Sequence, residues 1–237
     1  MCGRAETPNI GLIMEQFPVE QTSLNIQQNY NAAPTQSLPV IVETKPEIWE
    51  VRLMHWGLLP RWKTDKPIPP PINARAETLT EKAMFKKLVP ANRCLVPAMG
   101  FYEWQATGAG KSKQPYFIHP TDRQLFALAG LWDDTRPEDA SENVSGSFTI
   151  ITTSPNTLMA QLHNRMPVIL DAGEESAWLS RDLTDPEAVI PLLDAYPADR
   201  MEAYPISTAV NDVRNNDPSL LERVESVREP AQRSLFS

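Results

Sequence analysis

Apolar residues along this chain fall mostly into short runs of four to eight, rich in Val, Ile, Leu and Phe and bounded by Pro, Gly, Asn or Asp. Such runs predict strands, at 38–43, 48–55, 93–97, 99–104, 115–119, 124–131, 146–153, 166–170 and 202–206. Helical spacing is rarer. Thr7-Pro8 reads as an N-cap and first helical residue, opening a helix over 8–17. Thr78-x-x-Glu81 reads as a capping box before Met84, Phe85 and Leu88, an apolar stripe for a helix over 79–89. Ser154-Pro155 opens another that ends near His163, and Asp171 and Thr184 cap helices over 173–180 and 185–195. Strands and helices mix without a regular βαβ alternation, which predicts an α+β fold. Pro67–Pro71, a run of four prolines around Ile68, reads as a stiff extended connector rather than a boundary, and the acidic stretch 133–146 as a surface loop with a disordered tip. The expectation is one domain over residues 1–237.

Composition adds little until charge is resolved along the chain. The 237 residues carry a net charge of −8, which by itself argues against a nucleic-acid partner. Yet residues 52–113 hold 11 basic and 4 acidic groups, a basic middle in an acidic protein. Screening over about 8–10 Å lets such a face act locally, either as an ordinary solvated surface or as a phosphate-binding one. Arg4, Arg61, Lys63, Lys66, Arg75, Lys86, Lys87 and Arg93 are the candidate phosphate contacts, and Trp62 is a candidate for stacking on a base. The start of the chain lacks the pattern of a secretory signal and no apolar run is long enough to span a membrane, so a cytosolic protein, not bound to membrane, is expected. Cys2 and Cys94 are too few for a disulfide framework and have no metal-ligand spacing; neither metal nor organic cofactor is implied.

Cys2 is notable for its position. Removal of Met1 would leave an α-amine and a thiol on adjacent carbons of one residue. An α-amine titrates near 7.7–8.0, so roughly a third is neutral at pH 7.5, against roughly 0.1% of a lysine amine. It could therefore form an imine with an aldehyde, and the thiol could add to that imine and close a five-membered thiazolidine ring. Asn73 can donate and accept, which suits orienting either group, and Arg75 offers a planar fork for phosphate. A turn followed by a capped helix would explain Asn73–Thr78 equally well. Glu103, among Phe101, Tyr102 and Trp104, is a candidate proton donor, and His163 can pass protons near neutrality. Taken singly, Glu103 on a solvent face and a structural His163 are equally ordinary readings. Cys94 reads as a packing residue, and His55 and His119 receive no role.

Taken together, MCGR (1–4), YNAAPTQ (30–36), WGLLPRW (56–62), INARAET (72–78), RCLVPAMGFYEW (93–104), FALAGLW (126–132), HNRMPV (163–168) and VNDVRNND (210–217) resemble the SRAP family, SOS response-associated peptidases also described as abasic-site processing proteins. The resemblance implies a single α+β domain with a β-barrel-like core of short strands and peripheral helices, and an active site beside a positively charged DNA groove. It implies Cys2 as nucleophile, Asn73 positioning it, Glu103 and His163 handling protons, and Arg4 and Arg75 on flanking phosphates. The partner implied is single-stranded DNA containing abasic sites, captured covalently by a protein expected to be monomeric and to remove its own Met1. Two departures stand out: Ala5 follows MCGR where the family usually has an aromatic residue, and Lys63 follows Trp62 where some members have a second tryptophan. Two other classes fit the same residues. An N-terminal-nucleophile hydrolase would use Cys2 to cleave a separate amide, and a non-catalytic DNA-binding module would use only the basic segment.

Overall fold

The computed structural model describes residues 2–59, 69–107 and 113–225. Among these residues lie strands β1 (Ala5–Thr7), β2 (Asn29–Ala32), β3 (Ser37–Lys45), β4 (Ile48–Trp56), β5 (Asn73–Arg75), β6 (Arg93–Ala98), β7 (Gly100–Ala106), β8 (Lys113–Pro120), β9 (Phe126–Asp133), β10 (Val144–Thr153), β11 (Met166–Pro167), β12 (Ile169–Leu170) and β13 (Met201–Pro205). Four short helices accompany them: α1 (Ile10–Gln16), α2 (Ala83–Lys86), α3 (Glu175–Leu179) and α4 (Pro186–Val189).

The sheet β10-β4-β3-β6-β9 closes on itself because β9 also pairs β10, giving the single-domain barrel core of an α+β fold. All its seams are antiparallel except β10–β4. Closure leaves no unpaired edge in the wall. Alternate residues along the wall feed two different cores. Ile41, Val51, Leu95, Leu131 and Ile151 face a cluster roofed by the four helices. Val40, Val42, Met54, Val96, Phe148 and Ile150 face a second, which also contains Cys2 and residues of a five-stranded sheet, β13-β8-β7-β1-β2. Two glycines permit close approaches. A Cβ on Gly100 would lie 2.0 Å from the Phe117 ring, and one on Gly130 would lie 2.8 Å from the Cys94 sulfur. Cys94 is, as expected, a buried packing residue.

All nine expected strand regions are strands, the stretch 166–170 being split into β11 and β12. The helices are shorter than expected. Thr7 ends β1 instead of capping α1, and the cap is Asn9, whose side chain accepts from the Leu12 amide at 3.0 Å. The Thr78–Glu81 capping box does not form; Ala76–Thr78 is a 3-10 turn and α2 starts after Lys82 with no side-chain cap. Phe85 and Leu88 are nevertheless buried, as their stripe requires. The segment after Ser154-Pro155 holds only the 3-10 turn Met159–Gln161. Asp185, not Thr184, caps α4, and Glu174 rather than Asp171 stands at the cap of α3. Three strands, β1, β2 and β5, had no expectation at all.

Candidate active site

The site is assembled where the N-terminal segment passes from the five-stranded sheet to the barrel. Strand β1 lies between β2 and β7, with Ala5 opposite both Ala32 and Phe101. The Tyr102 amide donates to the Arg4 carbonyl at 3.0 Å, extending that pairing toward the chain start. On the barrel side, β5 continues the edge of β10 beyond β4: Phe148 pairs Trp56, and Ile150 then pairs Asn73. Trp56, fully buried and stacked on Phe148, donates its indole N–H to the Ile72 carbonyl at 3.0 Å. The Ile150 amide bonds the same carbonyl at 3.1 Å. Ile72 is thus fixed from two directions, and Asn73 follows it.

From there Asn73 Nδ2 donates to the Cys2 carbonyl at 3.0 Å. Its own Oδ1 is buried and accepts no hydrogen bond among the described residues. A buried amide oxygen without a donor costs about 1–3 kcal/mol, so the vacancy calls for a reason. Cys2 is fully buried. Burial first, and then the negative charge of Glu103, push its thiol well above the usual range, with the Arg4 backbone amide opposing more weakly. The thiol is therefore neutral near pH 7, and Glu103 is close enough to act on it electrostatically. Glu103 itself lies on β7 at 3% exposure, opposite Tyr116 of β8.

His163 closes the 3-10 turn Met159–Gln161 on the same side of the barrel wall as Cys2, where Met159 is fully buried in the cluster containing Cys2. Gln105, two residues beyond Glu103, donates to the Gln161 carbonyl at 2.9 Å and ties this turn to β7. The Arg165 amide donates to His163 Nδ1 at 3.0 Å. Nδ1 is therefore the acceptor, and in neutral imidazole Nε2 carries the proton. Arg75, exposed at the end of β5, pairs with Thr152 in register. Beside it Glu77 takes a two-pronged bond from Arg165, at 2.6 and 2.9 Å, and its carboxyl is held below the usual range by that contact. Arg165 also donates to the Thr152 carbonyl at 2.6 Å. The sequence placed Arg165 in a motif without giving it a role, although a lone arginine between His163 and the next strand was the available signal.

The structure thus gathers Cys2, Asn73, Glu103 and the turn carrying His163, with Arg75 on the rim. Other expected phosphate contacts lie elsewhere. Arg93 is 2% exposed, its guanidinium spent on the carbonyls of Trp178, Val89, Pro90 and Ser180 and its pKa lowered to about 10 by burial; it is a structural residue. Arg4, half-buried and two residues from Cys2, gives its Nη1 to Asn31 Oδ1 and to the Val210 carbonyl. Lys86 and Lys87 are exposed, but they sit with α2 over the cluster on the opposite face of the wall, and Lys86 shares a groove with Asp185 and Glu187. Arg61, Trp62, Lys63 and Lys66 lie outside the described residues.

A family model described as SOS response associated peptidase (SRAP) matches residues 1–213. The chain belongs to the SRAP family. Among its curated SRAP relatives, the abasic site processing protein YoqW of Bacillus subtilis is 41% identical over 226 residues, covering 94% of this chain and 99% of that one. The abasic site processing protein HMCES of Xenopus tropicalis is 33% identical over 227 residues, covering 82% of this chain and 66% of the longer relative. Among solved structures, a protein from Bacteroides thetaiotaomicron superposes with a TM-score of 0.80 at 27% identity, covering 94% of this chain and all of that one. The family thus rests on the sequence match, and the superposition shows the same fold in a solved structure.

Proposed function

We propose that this SRAP protein captures abasic sites in single-stranded DNA as a covalent adduct on Cys2 after loss of Met1. The observation that carries the reading is the unpartnered, buried Oδ1 of Asn73, on the same amide as the Nδ2 that holds the Cys2 carbonyl at 3.0 Å. Once Met1 is gone, the freed α-amine of Cys2 is a hydrogen-bond donor of the kind that oxygen lacks. The curated relatives' names supply the substrate class, abasic sites, and Arg75 on the rim suits the backbone of a strand without reading its sequence.

The chemistry then runs as follows. An acid, Glu103 or His163, gives a proton to the sugar-ring oxygen while the anomeric hydroxyl loses one, opening the ring to its C1′ aldehyde. The neutral amine of Cys2 attacks C1′, and loss of water leaves an imine. The thiol adds its sulfur to the imine carbon and its proton passes to the nitrogen, closing a thiazolidine. Glu103, buried on β7 near a thiol kept protonated by burial and then by its charge, relays that proton. Removal of Met1 belongs to the same proposal, as does strand cleavage from the imine by β-elimination. In that removal the same thiol attacks the Met1 carbonyl, the C–N bond breaks to free the Cys2 amine, and water hydrolyses the resulting thioester to release methionine.

The test is a denaturing gel of purified protein with an abasic single-stranded oligonucleotide, after intact mass has established which N-terminus is present. A heat-stable adduct by the form beginning at Cys2, absent from the Met1 form, is the expected result. Efficient adduct formation with Met1 retained would refute the proposal, since an acylated nitrogen cannot form the imine. Peptide cleavage with turnover and no adduct would assign a hydrolase instead.

A further inference from the structure

The last quarter of the described chain reaches back to the beginning through one side chain. Arg4 stands two residues from Cys2, immediately before β1. Its Nη1 donates to Asn31 Oδ1 at 2.7 Å and to the Val210 carbonyl at 2.6 Å, and its guanidinium lies 5.6 Å from the centre of the Trp104 ring. Asn31, fully buried on β2, sends Nδ2 to the carbonyls of Val210, Asp212 and Asn215 at 3.2, 3.0 and 2.9 Å. Trp104, on β7 just past Glu103, donates its indole N–H to Asn211 Oδ1 at 2.7 Å. The Tyr30 amide donates to Asn216 Oδ1 at 2.7 Å, and Asn215 Nδ2 folds back to the Ala209 carbonyl at 2.8 Å. Beyond the 3-10 turn Thr208–Asn211 this segment has no regular structure until Pro218, so its shape rests largely on these polar contacts.

Among the described residues Arg4 makes no ion pair; the partners given above are two carbonyl oxygens, one from a side chain and one from the backbone, and an aromatic face. Holding an arginine this way is an expensive means of anchoring a strand, which an apolar side chain would do at less cost. What a planar, multiply bonded guanidinium supplies is a fixed orientation. We infer that residues 208–216, with Asn31 and Trp104, form a positioning clamp that sets Cys2 against Asn73 and Glu103 through Arg4. Asn31 and Trp104 sit on the two strands flanking β1, β7 also carries Glu103, and the segment spans them, so the clamp fixes the nucleophile to the same frame as its proton carrier. The inference rests on the covalent reading proposed above. Misplacement of a reacting group by about 1 Å can cost about a hundredfold in rate, which makes such a frame worth its polar burial.

The clamp is tested by single-turnover adduct formation on an abasic single-stranded oligonucleotide, comparing wild type with Asn31→Ala, Trp104→Phe and Arg4→Lys, each with Met1 removed and a cooperative thermal transition retained. Asn31→Ala is expected to lower the maximal rate by about tenfold or more, while the half-saturating DNA concentration stays within about twofold. Trp104→Phe, which keeps a ring but loses the bond to Asn211, moves the same way by less, and Arg4→Lys retains part of the rate. An unchanged maximal rate in folded Asn31→Ala overturns the inference; so does a change confined to half-saturation, which would make Arg4 a DNA contact. If Asn31→Ala does not fold, Trp104→Phe decides, and a normal rate there overturns it. Alkylation of Cys2 by iodoacetamide in a Cys94→Ser background reads the clamp without DNA. Faster alkylation in Asn31→Ala supports the clamp and equal alkylation overturns it, even should wild type form no adduct, a result that would count against the covalent reading alone.

Discussion

Replacing Glu6 by glutamine should stabilise the protein at pH 8 and leave it nearly unchanged at pH 4. Glu6 sits on β1, four residues after the proposed nucleophile, at 2% exposure, and one oxygen accepts from Gln28 Nε2 at 2.8 Å. Burial raises its pKa from an ordinary 4.5 to about 7, with Gln28 opposing. Between those values the folded state holds a proton that the unfolded chain has released, so stability falls as pH rises through the window. Above it both states are ionised, and the cost is complete. At about 1.4 kcal/mol per tenfold, that cost approaches about 3 kcal/mol. Below pH 4.5 both states are protonated and the carboxyl costs nothing extra. Glutamine can still accept from Gln28 and carries no charge, so Glu6→Gln should recover most of that amount at pH 8. Urea unfolding of both proteins at pH 4, 5.5 and 8 gives the difference at each pH, cancelling groups common to both. Glu175, raised to about 7 by burial against the pull of Arg123, titrates in the same window but is present in both proteins. The same difference at pH 4 and pH 8 would refute the reasoning.

Further predictions concern the site. Glu103→Gln should slow adduct formation, by about 10²-fold if the carboxyl carries the protons, and yet speed iodoacetamide alkylation of Cys2, because burial still raises its thiol pKa but the added push of the Glu103 charge is gone; slower alkylation would refute this. Arg75→Ala should weaken capture alike across sequences and flatten its salt dependence by about one counterion, whereas Lys86→Ala, over the opposite face, should alter neither; filter binding at several salt concentrations checks both. Cys2→Ala, with its N-terminus confirmed by mass, should give little heat-stable adduct alone but be trapped by borohydride, since an imine lacks the ring closure; a stable adduct without reductant would exclude the thiazolidine.

The barrel was legible because its strands are long enough for composition and bounding residues to register, and β3, β4, β9 and β10 each match an expected run. What escaped were β1, β2 and β5, three or four residues each, too short for any period to show. Those are the strands that seat Cys2, Asn31 and Asn73. Asn73–Arg75 read as a turn because Asn and a following cap signal favour turns locally, and pairing with β10 overrode that preference. The identities of Cys2, Asn73, Glu103 and His163 came from motifs, but their convergence depends on contacts spanning most of the chain. Arg93 illustrates the opposite failure. Charge alone suggests a surface, whereas burial among carbonyls, invisible to composition, puts Arg93 inside.

The order in which the wall closes bears on the proposed loss of Met1. Of the five barrel strands, β10 is the last to be synthesised, and it pairs with β4, β5 and β9 before it and with β11 after it. Arg4 waits longer still, for Val210. On a ribosome moving at about 5–20 residues per second, the first residues are therefore in the open for on the order of ten seconds before their pocket can exist. Throughout that interval the Met1–Cys2 bond, followed by no folded pocket, would be within reach of a processing aminopeptidase. The proposed cleavage by the protein's own thiol would need the folded site, and so would act only on chains that such an enzyme had missed.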